Sequence, residues 1–125
     1  MGEIKTYFLD SYAFFEIING NLKYEKYVKD MALVTTKLSL LELHYGLLNL
    51  VGKEKADELY NYFSRFAVEI DDEIFRLASY FKNVMKTKKF SFIDCIGYVY
   101  AKSKNIPFVT GNSEFKNLEN VEYVK

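Results

Sequence analysis

Apolar residues along the chain follow two periods, a short one typical of strands and a longer one typical of helices. The runs KTYFL (5–9) and ALVTT (32–36) are short and rich in β-branched or aromatic residues, as expected of buried strands. Each run precedes a segment whose apolar positions recur every three to four residues, SYAFFEIIN (11–19) and LSLLELHYGLLNLV (38–51). A glycine follows each of these predicted helices, at a position where helices commonly end. The first half of the chain therefore predicts two successive strand-then-helix units.

The second half of the chain continues the alternation of helices and strands. Helical spacing predicts helices at 53–66, 72–86 and 91–104. Short strands are predicted at 67–70, 107–110 and 121–124. Strands that alternate with longer helices predict an α/β fold, in which helices cover both faces of a mainly parallel sheet. Because no Pro-, Gly- or Ser-rich linker interrupts the pattern, residues 1–125 are expected to form a single domain.

Composition limits the functional classes that fit this fold. Seventeen Lys and Arg residues balance seventeen Asp and Glu residues, so any contact with nucleic acid must depend on a local basic patch. The single cysteine, Cys95, excludes an internal disulfide framework and is expected in the core of a helix. No apolar run is long enough to span a membrane, and the first residues lack the pattern of a signal peptide. We therefore expect a cytoplasmic protein with no membrane association.

Four acids and one asparagine lie at the boundaries of the predicted elements. Asp10 follows the first strand, Glu42 lies in the first turns of the helix after the second strand, and Asp94 lies in the first turn of a later helix. Asn112 and Glu114 come just after the strand at 107–110. Because functional sites of parallel sheets lie at the carboxyl ends of the strands, these side chains are expected to share one small volume.

Helix capping is the simpler explanation for each acid taken alone. The segments Ser39–Glu42 and Ser91–Asp94 both match the capping box, in which a serine is followed three residues later by an acid. Asp10 fits an N-cap position. However, Glu42 and Asp94 lie in largely apolar segments, LLELHYGL and SFIDCIGY, where an acid that only caps a solvated helix would have polar neighbours. Both acids are therefore expected near the core.

Convergence of the carboxylates would favour a bound cation. Two carboxylates about 4 Å apart repel each other by roughly 4 kcal/mol at an effective dielectric constant near 20. A hard divalent cation relieves that repulsion, and a ligand set made only of oxygens suits Mg²⁺ or Mn²⁺. Such ions support phosphoryl chemistry because they activate water and neutralise the charge of the phosphate. The implied reaction is hydrolysis of a phosphodiester.

Three blocks of the sequence resemble a known family. The segments YFLDSYAFF (7–15), LSLLELHYGLL (38–48) and FSFIDCIGYVYAKSKNIPFVTGNSEF (90–115) are similar to the acidic blocks of PIN-domain ribonucleases, particularly the VapC-like toxins of toxin–antitoxin pairs. The resemblance implies a three-layer α/β/α domain with about five strands in a mainly parallel sheet. It also implies an Mg²⁺- or Mn²⁺-dependent endoribonuclease with an RNA substrate, a homodimer and a small antitoxin partner.

The same resemblance implies roles for individual residues. Asp10, with its neighbour Ser11, matches the first family acid, and Glu42 and Asp94 match the second and third. Asn112 stands where the family usually has an aspartate, and an amide there removes one negative charge from the metal site. We therefore expect Asp10, Glu42 and Asp94 to be catalytic metal ligands together with Asn112. Glu114 is expected to compensate as an outer metal ligand or to position water.

Other interpretations stay open. Asn112 also fits a degenerate PIN domain that acts as a non-catalytic binding or interaction module. A receiver-like or flavodoxin-like signalling module is a weaker alternative, because the acid after the first strand has no acidic neighbour and no Gly-rich phosphate loop is present. A phosphatase with a nucleophilic aspartate lacks its second acid in the segment LDSY.

Two further features of the sequence are less specific. Lys86, Lys88 and Lys89 precede the Asp94 helix and would either contact an RNA backbone or form an ordinary solvated loop. His44 lies two positions after Glu42, which is about 200° around a helix, so no catalytic role is expected for it.

Overall fold

The computed structural model describes residues 4–29 and 31–125, which form an α/β fold around a five-stranded sheet. The strands are β1 (Thr6–Leu9), β2 (Ala32–Thr36), β3 (Ala67–Val68), β4 (Phe108–Thr110) and β5 (Val121–Tyr123). Their order across the sheet is β3-β2-β1-β4-β5, and every pairing is parallel. The predicted α/β class with about five strands is confirmed, and the sheet is parallel throughout rather than mainly parallel.

Helices cover both faces of this sheet. They are α1 (Ser11–Ile18), α2 (Glu25–Lys29), α3 (Lys37–Phe63), α4 (Asp72–Val84) and α5 (Phe92–Ser103). Side chains alternate along β1, so that Tyr7 and Leu9 join a core cluster with α1, α2 and α3, whereas Phe8 joins a second cluster with α4 and α5. The two clusters lie on opposite faces of the central strand, which gives the three-layer architecture.

The long helix α3 is bent sharply at Gly52. Gly52 has φ +86° and ψ 166°, which lies outside the helical region and is accessible mainly to glycine. Beyond the bend, Asp57 Oδ1 lies 2.7 Å from His44 Nε2, although 13 residues of straight helix would separate them by about 20 Å. The two halves of α3 therefore fold back against each other. This confirms the two helices predicted at 38–51 and 53–66. It also gives the side chain of His44 a structural partner, Asp57, in the second half of α3.

Close packing of α5 on the sheet requires a small residue. A Cβ atom added to Gly97 would lie 2.9 Å from a ring carbon of Phe8 and 3.3 Å from one of Phe108. Cys95 on the same helix is buried, as predicted. The helix thus lies directly on β1 and β4, and this close approach positions its N-terminus relative to the ends of those strands.

The structure also contains elements that the sequence pattern did not predict. A 3-10 turn, Leu22–Tyr24, leads into the short helix α2 and buries Tyr24 and Tyr27. The Tyr24 hydroxyl donates a hydrogen bond to the carbonyl oxygen of Val124. These elements are too short for a helical period to show in the sequence. Within the described ranges, no helix is both long and apolar enough to cross a membrane.

Candidate active site

Three acidic side chains from three different elements lie at the carboxyl edge of the sheet. Asp10 directly follows β1, Glu42 lies in the second turn of α3 after β2, and Asp94 is the third residue of α5. Because β1 and β2 are adjacent parallel strands, their carboxyl ends open on the same edge. The negative charges of Asp94 and Glu42 both raise the pKa of Asp10. The three carboxylates are therefore close enough to interact.

Asp10 is the most deeply buried of the three acids. It is the N-cap of α1, where its Oδ1 accepts a hydrogen bond from the Ala13 backbone N–H at 2.9 Å. Its Oδ2 accepts a hydrogen bond of 2.5 Å from the hydroxyl of Thr110 at the end of β4. Burial raises the pKa of Asp10 to about 7, although these two hydrogen bonds act in the opposite direction. Near neutral pH, Asp10 thus stands close to the midpoint of its titration.

Glu42 is held in place by the neighbour of Asp10 in the sequence. The hydroxyl of Ser11 donates a hydrogen bond of 3.0 Å to Glu42 Oε1. Partial burial raises the pKa of Glu42, the hydrogen bond from Ser11 lowers it, and the charge of Asp94 raises it further. The N-terminus of α1 and the second turn of α3 are thereby joined at the site.

The predicted capping box at Ser39–Glu42 is wrong. Thr36 ends β2 in an extended conformation and is the N-cap of α3, because its side chain accepts a hydrogen bond from the Ser39 backbone N–H at 3.0 Å. The helix therefore begins at Lys37, three residues earlier than a Ser39 cap would place it. As a result, Glu42 does not cap the helix and its carboxylate is available to the site.

Asp94 both caps a helix and lies at the site. The predicted capping box is confirmed, since Ser91 Oγ accepts from the Asp94 N–H at 3.0 Å and Asp94 Oδ2 accepts from the Ser91 N–H at 2.9 Å. Burial raises the pKa of Asp94, whereas the hydrogen bonds with Ser91 and the positive charge of Lys82 lower it. Only one carboxylate oxygen takes part in the capping box. Capping and membership of the acidic site are therefore compatible in this residue.

Asn112 and Glu114 are linked to the site through the backbone after β4. The Asn112 N–H donates to Thr110 Oγ1 at 3.0 Å, and Thr110 in turn holds Asp10. The side chain of Asn112 caps the following 3-10 turn by accepting from the Glu114 N–H at 3.0 Å. Glu114 Oε1 accepts from the backbone N–H of Lys89 at 2.7 Å, in the loop before α5. Within the described residues, no hydrogen bond joins the side chain of Asn112 or Glu114 to the three carboxylates.

Two residues near the acids were missed by the sequence analysis. Thr110 lies 100 positions from Asp10 in the chain and is the donor to its carboxylate. The sequence placed Thr110 at the end of a predicted strand and within the family-like block 90–115, but no role was assigned to it. Lys82 comes from α4, and its charge acts on Asp94 although nothing in the local sequence around Asp94 indicates this. The pairing of α4 with α5 could not be inferred from the sequence.

The carboxylates of Asp10, Glu42 and Asp94 have the right chemistry to bind a divalent cation, but their oxygens are not arranged around one point. Among residues 4–29 and 31–125, no three His, Cys, Asp or Glu side chains are placed so that they could hold a metal ion. Yet Asp10, Glu42 and Asp94 supply only oxygen donors, and the pKa of each is raised, which means that each carboxylate is less stable ionised than it would be in water. A bound cation would relieve this cost. Rotation of side chains would have to bring the oxygens together.

Comparison with known proteins identifies a family and a fold. A family model described as PIN domain matches residues 7–121. No protein of curated function matches the sequence. A solved structure of VapC20 from Mycobacterium tuberculosis, described as a sarcin-ricin loop cleaving toxin, superposes with a TM-score of 0.72 at 15% identity, covering 92% of this chain and 98% of that chain.

Two solved complexes have the same fold. DNA-bound VapBC from Salmonella typhimurium matches with a TM-score of 0.72 at 18% identity, covering 98% of each chain. A toxin–antitoxin complex from Klebsiella pneumoniae matches with a TM-score of 0.71 at 13% identity, covering 93% of this chain and 95% of that chain. At these identities the superpositions show a shared fold.

Proposed function

Because the chain belongs to the PIN domain family, we propose that it is a divalent-metal-dependent endoribonuclease and the toxin of a toxin–antitoxin pair. The observation that carries this proposal is the interacting set of Asp10, Glu42 and Asp94 at the carboxyl edge of the sheet. Each of these side chains is fixed by its own hydrogen-bond donor from the protein. The site thus concentrates negative charge on oxygen donors that the protein holds near one another, and metal binding would require these side chains to rotate until their oxygens converge.

The protein's own residues orient the three acids. Ser11 fixes the Glu42 carboxylate, Thr110 fixes Asp10, and the Ser91 capping box fixes Asp94. When bound by these acids, Mg²⁺ or Mn²⁺ would supply charge neutralisation at the scissile phosphate and a lowered pKa for the attacking water.

Asn112 and Glu114 have secondary roles in this proposal. Asn112 supports the site from its edge through Thr110 and offers an amide oxygen as a further ligand. Glu114 is an outer ligand or positions water. Either role requires a change from the hydrogen bonds that the two side chains now make.

No protein nucleophile takes part in the proposed reaction. Cys95 is the residue next to Asp94, but it is fully buried, and burial raises the pKa of its thiol to about 11. A buried thiol that stays protonated at neutral pH is a poor nucleophile. The attacking group is therefore water, and the reaction is hydrolysis of an RNA phosphodiester.

A degenerate, non-catalytic PIN domain is the second candidate. Asn112 in place of an acid and the lack of a ready three-ligand metal cluster in the described part of the chain both favour it. In that case the same fold would bind RNA or a protein partner without cleaving RNA. The two candidates differ in one measurable property, which is metal-dependent turnover.

The decisive experiment compares RNA cleavage by wild-type protein and by Asp94→Asn in the presence of Mg²⁺ or Mn²⁺. We expect the substitution to abolish cleavage and to keep the melting temperature close to that of wild type, because asparagine retains the capping geometry. Asp72→Asn, which changes an exposed acid in the first turn of α4, is the matched control and should cleave like wild type. Equal single-turnover cleavage by Asp94→Asn would refute the assignment. Absence of cleavage by wild type, together with RNA binding, would establish the degenerate module.

The partner assignments extend the same proposal. We expect residues 1–125 to act as a single cytoplasmic PIN domain that forms a homodimer and is inhibited by a small antitoxin protein. Light scattering coupled to size exclusion tests the dimer, which should have twice the monomer mass. Inhibition of RNA cleavage by the product of an adjacent small gene, restored when that product is degraded, tests the antitoxin.

A further inference from the structure

Positive charge is concentrated in one segment beside the acidic site. Residues 74–93 contain five Lys and Arg residues and no Asp or Glu, whereas the whole chain is neutral. The other residues therefore carry twelve basic against seventeen acidic side chains. The segment runs from α4 into the first turn of α5 and ends directly before Asp94. Two lysines of this segment, Lys82 and Lys86, line the same cavity and present positive charge to an anionic ligand.

A cavity of about 320 Å³ lies in this positive segment. It is lined by Ser79, Lys82, Asn83, Lys86 and Phe92. Two of these side chains are cationic, two are neutral hydrogen-bonding groups, one is aromatic, and none is acidic. The volume is at the lower end of the range of about 300–1,000 Å³ for small-molecule sites, which suits one nucleotide.

Phe92 supplies an aromatic surface to this cavity. It is the first residue of α5 and is 62% exposed, which is unusual for a large aromatic side chain in a helix whose other apolar residues are largely buried. Lys82 Nζ lies 5.1 Å from the centroid of the ring. The same Nζ donates a hydrogen bond of 2.6 Å to the carbonyl oxygen of Phe90, which fixes the lysine. The ring is therefore positioned by a fixed cation and still accessible.

Phe92 lies near one of the three acids, Asp94. Phe92 lies two residues before Asp94 on α5, so the two side chains point about 200° apart around the helix axis and do not contact each other directly. Lys82 links them, because its Nζ lies over the ring of Phe92 and donates to the carbonyl oxygen of the Phe90–Ser91 peptide, whose N–H donates to Asp94 Oδ2. A nucleotide at the ring would thus lie on the Asp94 side of the acidic site.

We propose that the cavity formed by Ser79, Lys82, Asn83, Lys86 and Phe92 binds one nucleotide of a single-stranded RNA next to the scissile phosphate. The base stacks on Phe92, and Lys86 contacts a backbone phosphate. This inference rests on the proposed function for its substrate class. Stacking on an aromatic side chain combined with lysine contacts to phosphate is the usual chemistry of single-strand binding. A protein partner would instead favour a continuous apolar lining, which this cavity lacks.

Binding is tested without cleavage by measuring fluorescence anisotropy of a labelled single-stranded RNA of mixed sequence in EDTA. Phe92→Ala is expected to weaken binding by about 5- to 150-fold, the range for loss of one stacked base. Phe92→Tyr should bind within about twofold of wild type because tyrosine also stacks. Tyr62→Ala is the matched control, since Tyr62 is 52% exposed and has Arg65 at 4.6 Å from its ring but lies on α3. Melting temperatures of all variants verify that they are folded.

The salt dependence of binding separates the roles of the ring and the lysine. Lys86→Gln should reduce the slope of log K against log salt concentration by about 0.7, the value for one phosphate contact with a single strand. Phe92→Ala should leave the slope unchanged, because the ring carries no charge. Lys104→Gln is the control. Lys104 caps the C-terminal end of α5, about 18 Å along the helix from Phe92, and its replacement should not change the slope.

Several outcomes would overturn the site. Wild-type affinity of Phe92→Ala, full affinity of Phe92→Leu, or an equal effect of Phe92→Ala on duplex RNA would each exclude stacking of an unpaired base. Failure of the wild-type protein to bind the RNA would also exclude stacking. Binding of an acidic peptide in place of RNA would assign the cavity to a protein partner. If Phe92→Ala cleaved RNA as well as wild type does, the nuclease proposal would stand and this site would be refuted. Phe92-dependent binding without cleavage would support the site and refute the nuclease.

Discussion

Replacement of Asp10 by asparagine should stabilise the fold at pH 8 when no divalent metal is present. Asp10 is only 6% exposed, and burial raises its pKa to about 7. At pH 8 the folded protein must therefore keep a negative charge in a buried position, close to two further acids. Asparagine retains the oxygen that accepts from the Ala13 N–H and removes this charge.

The size of the effect follows from the pKa. A rise from 3.8 to about 7 is about 3 pKa units, which corresponds to about 4 kcal/mol at 1.36 kcal/mol per unit. Asparagine cannot accept the hydroxyl proton of Thr110 at the position of Oδ2, and the loss of that hydrogen bond costs about 1 kcal/mol. We therefore expect Asp10→Asn to be more stable than wild type by about 3 kcal/mol at pH 8.

The sign of the pH dependence is fixed by linkage. Because the pKa of Asp10 is higher in the folded than in the unfolded state, the folded protein binds more protons between about pH 4 and pH 7. The stabilisation of wild type by the protonated carboxyl of Asp10 is therefore fully present below about pH 4, and it is lost as the pH rises to about 7. The gain from Asp10→Asn should disappear at pH 4, where the variant becomes slightly less stable than wild type.

Urea unfolding at pH 4 to 8 in EDTA measures this difference directly. Asp72→Asn is the control for loss of an exposed acid, and its curve should run parallel to that of wild type at each pH. Addition of Mn²⁺ at pH 8 should stabilise wild type and have little effect on Asp10→Asn, because the cation compensates a charge that the variant lacks. A constant difference between Asp10→Asn and wild type across the pH range would refute the argument from burial.

Three further substitutions test the site and its packing. Asn112→Asp should tighten Mn²⁺ binding by at least about tenfold in calorimetry, because a carboxylate adds a negative charge near a divalent ion; an unchanged Kd would place residue 112 outside the metal site. Ser11→Ala should lower cleavage by about 10- to 100-fold by releasing Glu42, and Ser11→Thr should restore it; full activity of the alanine variant would exclude this orienting role. Gly97→Ala should destabilise the fold by about 1–3 kcal/mol in urea unfolding, since its Cβ would lie 2.9 Å from the ring of Phe8, and wild-type stability would show that α5 can move away.

Local signals in the sequence predicted the helix starts with mixed success. The N-cap Asp10 and the capping box Ser91–Asp94 were correct because the groups that form them lie within three residues of each other. The box at Ser39–Glu42 failed because Thr36, at the end of β2, caps the helix first. Where a strand runs directly into a helix, the end of the strand decides the cap, and that end depends on pairing with β1 and β3.

The sequence by itself determined the order of the five strands and the longer helices, the α/β class and the placement of three acids at element boundaries. These properties depend on periodicity and on neighbours along the chain. Only the tertiary structure decided that Thr110 donates to Asp10 and that Lys82 acts on Asp94, since these partners come from distant segments. It also decided the raised pKa of Asp10, because desolvation depends on everything that packs around a carboxylate and not on the residues beside it in the chain.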